Sequence, residues 1–165
     1  MGALLTLYLG FLHSDLAGLV TYSPAILAAN KLVYLSSILK YVLKSRPKED
    51  DADSDLTDPK ASRYLWHYEI YPTWGAHELL KLQRAVRKAL PGIQSPTLIF
   101  QSTGDRSIDL RCGQIVYDEI GAEEKELVIL HHSGHAITVD SEREAIFAKT
   151  YVFLAAHTPE AGYFL

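Results

Sequence analysis

The chain has 165 residues, 48% apolar and 22% charged, which is enough for one folded domain with its own core. Its formal net charge of −4 argues against nucleic acid, because phosphate binding needs clustered Lys and Arg. A single cysteine, Cys112, excludes an internal disulfide and suits a reducing, cytoplasmic compartment.

The opening MGALLTLYLGFLH is apolar but about a third short of the roughly 18–20 residues that span a bilayer, so no stable membrane span is expected. It has neither the basic start nor the cleavage site of a signal peptide. Gly2 and Thr6 match the loose myristoylation pattern, but Leu4, Leu5, Leu7, Tyr8 and Leu12 read better as a helix buried against a sheet. Leu19-Val20-Thr21-Tyr22, stopped by Ser23-Pro24, reads as a buried strand. Helical spacing returns over 26–45 through Ile26, Leu27, Leu32, Val33, Leu35, Ile38, Leu39 and Val42. The acidic run 46–59 breaks that pattern and is expected to be a mobile surface loop without function.

Residues 74–90 are helical again, and Pro91-Gly92 ends them. From Pro96 onward strand and helix alternate: strand 97–101, helix 110–120, strand 127–130, helix 141–156. That alternation predicts a parallel sheet with crossover helices.

Functional groups of an open α/β sheet gather in loops at the carboxyl ends of its strands. Strand 97–101 runs into Ser102-Thr103-Gly104-Asp105, and the later strand into His132-Ser133-Gly134-His135. Parallel strands would bring Asp105 and His135 to one sheet edge across thirty positions. A carboxylate beside an imidazole fixes the ring tautomer and stabilises the imidazolium, which makes the ring a usable base for a serine hydroxyl. Either residue alone is more often structural; the pair in this order and context favours catalysis. Asp109 is the rival carboxylate, but it suits the start of the next helix, and Asp140 the start of the last one. His131, His132 and His135 follow no metal-binding helix pattern, and neighbours on a strand face opposite ways, so no metal is expected.

The stretches PTLIFQSTGDRSIDLRCGQIVYDEIG and ELVILHHSGHAITVD resemble the end of small bacterial carboxylesterases and monoacylglycerol lipases of the α/β-hydrolase superfamily, a serine aminopeptidase-like family. There an acid loop of the form Gly-x-x-Asp-x-x-Val/Ile follows one strand, and Ser-Gly-His follows a later one. This acid loop differs in placing Gly104 directly before Asp105, with Ile108 three positions on. The resemblance implies Asp105 as catalytic acid and His135 as base. Met1-Gly2-Ala3 and the apolar helix after it resemble the residues that come after the serine in the family's Gly-x-Ser-Met-Gly-Ala turn. That would put Met1 at the oxyanion-hole position, immediately after the nucleophile. No Gly-x-Ser-x-Gly occurs in the chain, and Ser102 and Ser133 read as loop hydrogen-bonders.

The implied architecture is α/β: the C-terminal part of an α/β-hydrolase fold, three parallel strands with flanking helices. Residues 1–25 and 91–165 would form the partial core, and 26–90 an inserted helical cap with the acidic loop near 46–60. The implied activity is carboxylic ester hydrolysis through a Ser-His-Asp triad, acting on a small acyl ester without a cofactor. This chain supplies Asp and His and lacks Ser, so it is expected to be inactive alone. A non-catalytic interaction module, or half of a split hydrolase completed by an amino-terminal fragment, are the alternatives. Thioesterase or serine peptidase chemistry would use the same fold.

Overall fold

The structure is a computed structural model that describes residues 1–47, 55–65 and 70–158. The most acidic part of the charge run, 48–54, lies outside the described residues, as do residues 66–69 of the expected cap and 159–165 of the expected core.

Three parallel strands, β1 (Leu19–Tyr22), β4 (Thr97–Ser102) and β5 (Lys125–Leu130), form one sheet in the order β1-β4-β5. Val20 aligns with Leu98, and Leu98 with Glu126, so all three strands end at one edge. β4 is central and buried along its whole length, which explains its unbroken run of large and β-branched residues. Strand periodicity sorts its side chains into two cores. Ile99 joins Leu4 and Leu7 of α1 (Gly2–Leu12), Val86 of α3 (Thr73–Ala89) and Val116 of α4 (Cys112–Glu119). Leu98 and Phe100 face the other way, toward Ile146 of α5 (Arg143–His157) and Ile137. The crossover architecture read from 96 onward is therefore present, as a three-stranded parallel sheet with helices on both faces.

Two expectations need correction. The single helix expected over 26–45 is replaced by a 3₁₀ turn, Lys31–Leu35, a single α turn, α2 (Ser36–Leu39), and a strand, β2 (Ser45–Pro47). The apolar positions that suggested a buried stripe, Leu32, Leu35, Ile38 and Val42, are exposed. A helix without a packed face gains too little to persist. β2 pairs antiparallel with β3 (Ile70–Pro72), placing Arg46 opposite Tyr71. The second correction concerns the charge run. Its described ends are not loose: Arg46 and Pro47 lie in β2, and residues 55–58 dock on the loops that follow β4 and β5. α1 also differs in part. Leu4, Leu7 and Gly10 are buried, while Leu5, Leu9 and Leu12 are exposed.

Candidate active site

The parallel pairing of β4 and β5 brings their following loops side by side, and those loops carry Asp105 and His135. The Asp105 Oδ2 and His135 Nδ1 are 2.8 Å apart. The Asp105 side chain is fully buried and that of His135 is 35% exposed. Asp105 Oδ1 accepts the N–H groups of Ser107 and Ile108 at 2.9 and 3.1 Å. A carboxylate so held is an acceptor, so the imidazole donates through Nδ1–H, and Nε2 is left to handle a proton.

The acid loop is fixed from below. Ala28 bridges Ile108, the Asp109 N–H donates to the Leu27 carbonyl at 3.2 Å, and Cys112 Sγ lies against Leu27. Asp109, the rival carboxylate, turns away to Arg111, whose guanidinium and backbone N–H hold its pKa down at about 2. It sits at the entry to α4, as its sequence position suggested.

The histidine loop is held by carboxylates that sequence reasoning missed or misassigned. Glu142 accepts the N–H groups of His131 and His132 and the Ser133 hydroxyl. Asp140, expected to cap the last helix, does something else. It is completely buried and accepts the N–H groups of Gly134, Thr57, Asp58 and Ser141. α5 itself starts after Glu142 without a side-chain cap. Burial by itself would raise the Asp140 carboxyl, but the converging N–H groups outweigh it and hold the group below its ordinary value. The same balance, struck by Ser133, His132 and His131 against burial, lowers Glu142. Ser102 donates to the Ser133 carbonyl and accepts the Gly104 N–H, so both serines are loop hydrogen-bonders.

Ser23 was also missed. It ends β1 at a φ of 46°, a left-handed conformation unusual for a serine, and its hydroxyl donates to the His135 carbonyl at 3.1 Å. Its positive φ leaves no trace in sequence beyond its place before Pro24.

His135, Ser23 and Tyr22 line a cavity of about 400 Å³ together with Met1, Gly2, Ala3 and Thr6. The cavity thus joins the imidazole to the first turn of α1. The Met1 carbonyl accepts the Leu4 and Leu5 N–H groups. Among the described residues, no group of His, Cys, Asp or Glu side chains converges as a metal site, and no helix is long and apolar enough to cross a membrane.

Comparison with known proteins decides the family. The model of "Hydrolase_4: Serine aminopeptidase, S33" matches residues 1–142. The chain belongs to this serine aminopeptidase family. It is 30% identical over 160 residues to the thermostable monoacylglycerol lipase of Bacillus sp. (strain H-257), and 25% identical over 154 residues to a carboxylesterase of Bacillus subtilis (strain 168). These alignments cover 95% and 93% of the chain, and the chain spans 60% of the length of each relative. Among solved structures, a metagenome-derived lipolytic enzyme superposes with a TM-score of 0.86 at 25% identity, covering 95% of this chain and 62% of that one. The monoacylglycerol lipase of Paleococcus ferrophilus superposes at 0.82 with 18% identity, covering 94% and 65%, which supports the fold alone. The recognition read from PTLIFQSTGDRSIDL and SGHAITVD, and the α/β-hydrolase class, are both borne out.

Proposed function

We propose that these residues form the acid-base half of a carboxylic ester hydrolase of the carboxylesterase and monoacylglycerol lipase kind. The observation that carries the reading is the 2.8 Å Asp105–His135 pair beside a cavity walled by the first residues of α1. Asp105 orients the imidazole. His135 Nε2 takes the proton of a serine hydroxyl as it attacks the ester carbonyl, then returns that proton to the leaving alcohol. Water attacks the acyl-serine in the second half, with His135 again as base.

Among the described residues, the serines of the two site loops and of the β1 end, Ser23, Ser102 and Ser133, all donate to loop groups rather than to the imidazole, and no Gly-x-Ser-x-Gly turn offers a nucleophile. The nucleophilic serine belongs immediately before Met1. The first turn of α1 supports this placing. A helix start presents N–H groups without intrahelical partners and a partial positive charge, and both suit the oxyanion of a tetrahedral intermediate. The Met1 nitrogen takes the position of the donor that follows the nucleophile. Of the segment 26–90, α3 packs on the core through Val86, so the part that precedes it is read as the cap. The substrate is a small acyl ester, and the kinship with the two Bacillus enzymes favours carboxylesters and monoacylglycerols.

The test joins these residues to the polypeptide read upstream of Met1. That protein is expected to turn over a short-chain nitrophenyl ester, whereas the 165-residue chain alone is not. Asp105→Asn should lower kcat by about four orders of magnitude, as misorienting a catalytic imidazole does. An upstream sequence without a Gly-x-Ser turn ending at Met1, or turnover indifferent to His135→Ala, would overturn the proposal.

A further inference from the structure

The described end of the acidic run lies across both loops of the site. Asp55 is the residue that touches each of them. Its carboxylate accepts the Arg106 N–H at 3.0 Å and the Ser107 hydroxyl at 2.5 Å, both just after Asp105. Its backbone carbonyl accepts the His135 N–H at 3.2 Å. Residues 57 and 58 continue the seam, since the Thr57 and Asp58 N–H groups donate to Asp140, which also holds Gly134. Gly134 allows the approach: a Cβ there would overlap the Asp55 carbonyl.

We propose that Asp55 is a positioning residue for the Asp105–His135 pair, stapling segment 55–58 to the acid loop through its carboxylate and to the histidine loop through its carbonyl. The inference rests on the reading of Asp105 and His135 as acid and base, and it adds a cause for their registry. The two loops follow different strands, and the sheet alone sets only where they begin. The directions of Asp105 Oδ2 and His135 Nδ1 depend on the backbone at 106–107 and at 135. Asp55 binds both of those backbone segments at once. Seating residues 55–58 and aligning the pair are therefore one event. Loss of the staple frees the acid loop to rotate about Gly104, and the Nδ1–H bond to Asp105 opens more often. A charge-assisted acceptor is suited to this role, because it holds an N–H and an O–H more strongly than a neutral one.

The test needs no nucleophile and uses the 165-residue chain. Ring-nitrogen NMR of His135 reports the tautomer, and the low-field Nδ1 proton reports how often the bond to Asp105 opens. The wild-type chain is expected to show an Nδ1–H tautomer with a slowly exchanging proton. Asp55→Ala should accelerate that exchange by about tenfold or more, the scale of losing one charge-assisted hydrogen bond. Asp55→Asn, which keeps an acceptor for Arg106, should restore part of the protection. The ring proton of His157, held at the far end of α5 by Phe153 and Glu124, should not move. If Asp55→Ala fails to fold, Ser107→Ala serves instead, removing one of the donors to Asp55; faster exchange supports the staple and unchanged exchange overturns it. A wild-type Nδ1 signal that Asp55→Ala leaves unchanged overturns the staple while leaving the pair intact, as does acceleration shared equally by His157. Absence of the Nδ1–H tautomer from the wild-type chain overturns the pair itself, and the staple with it.

Discussion

Gly104 and Gly134 stand one residue before Asp105 and His135, and neither has a positive φ. Each supplies the absence of a Cβ. At Gly104 a Cβ would meet the Ser133 carbonyl oxygen at 2.6 Å, and at Gly134 it would overlap the Asp55 carbonyl. Backbone cannot swing aside as a flexible side chain can. Gly104→Ala and Gly134→Ala are each expected to destabilise the chain by about 1–3 kcal/mol, the cost of overpacking a fitted interior. Gly2, with nothing within 4 Å, is the control, and Gly2→Ala should stay within about 0.5 kcal/mol. Urea unfolding of the three variants checks this, and equal midpoints would mean that the loops have slack. Asp105 and His135 themselves were legible because each follows a strand with a strong apolar signature. The carboxylates that hold them were not. Asp55 sits in a charge run that looks solvated, and half of its tie is a backbone carbonyl, which no side-chain pattern reveals. Glu142 and Asp140 look like ordinary helix-start acids, and only the fold turns them back toward residues 131–134.

β4 was readable as an element because it is buried on both faces, so its composition is uniform. Segment 26–45 misled because periodic apolar residues mark a helix only when something covers the stripe, and Leu32, Ile38 and Val42 are exposed. β2 and β3 had no signal at all, being only Ser45–Pro47 and Ile70–Pro72. α5 carries a tie whose strength depends on pH. His157 Nδ1 lies 2.7 Å from the Phe153 carbonyl one turn back, and Nε2 lies 2.9 Å from Glu124, just before β5. The Phe153 carbonyl, with Glu124 behind it, raises the imidazole above its ordinary value of 6.5 against the opposing effect of burial. A group raised on folding contributes stability that is fully present below its unfolded value and is lost as pH rises through the folded one. The α5–β5 tie is therefore fully present below 6.5 and fades as pH rises through the raised value of His157. Glu124→Gln should bring the His157 titration closer to an ordinary imidazole and shrink the difference in stability between mild acid and alkaline pH. An NMR titration of the His157 ring is the measurement, and a midpoint unmoved by Glu124→Gln would show that the Phe153 carbonyl and helix end act alone.

At the scale of the molecule, the sheet and the candidate site respond to acid differently. The sheet rests on apolar packing from both faces, through Ile99 toward α1, α3 and α4 and through Phe100 toward α5, and among the described residues no carboxylate or imidazole enters those clusters. The loops beyond its carboxyl edge rest on charge. Asp140 gathers Gly134, Thr57 and Asp58, and Glu142 gathers His131, His132 and Ser133. Both carboxyls are held below their ordinary values of 3.8 and 4.5. For a group depressed on folding the sign is the reverse of His157: the stabilisation is complete above the unfolded value and disappears as pH falls through the folded one. Acid should thus unfasten residues 55–58 from the histidine loop before the sheet gives way. Asp140→Asn tests the order. At pH 7 it should cost about 2–3 kcal/mol, because a buried ionic acceptor is replaced by an amide that offers N–H groups to other N–H donors. That deficit should hold down to about pH 5 and narrow as pH falls from 3.8 through the lower folded value, where the wild-type Asp140 takes up its own proton. Denaturant unfolding of the two proteins across this range gives the gap directly. A deficit independent of pH would mean that Asp140 acts by shape rather than charge, and that the acid lability of the chain lies elsewhere.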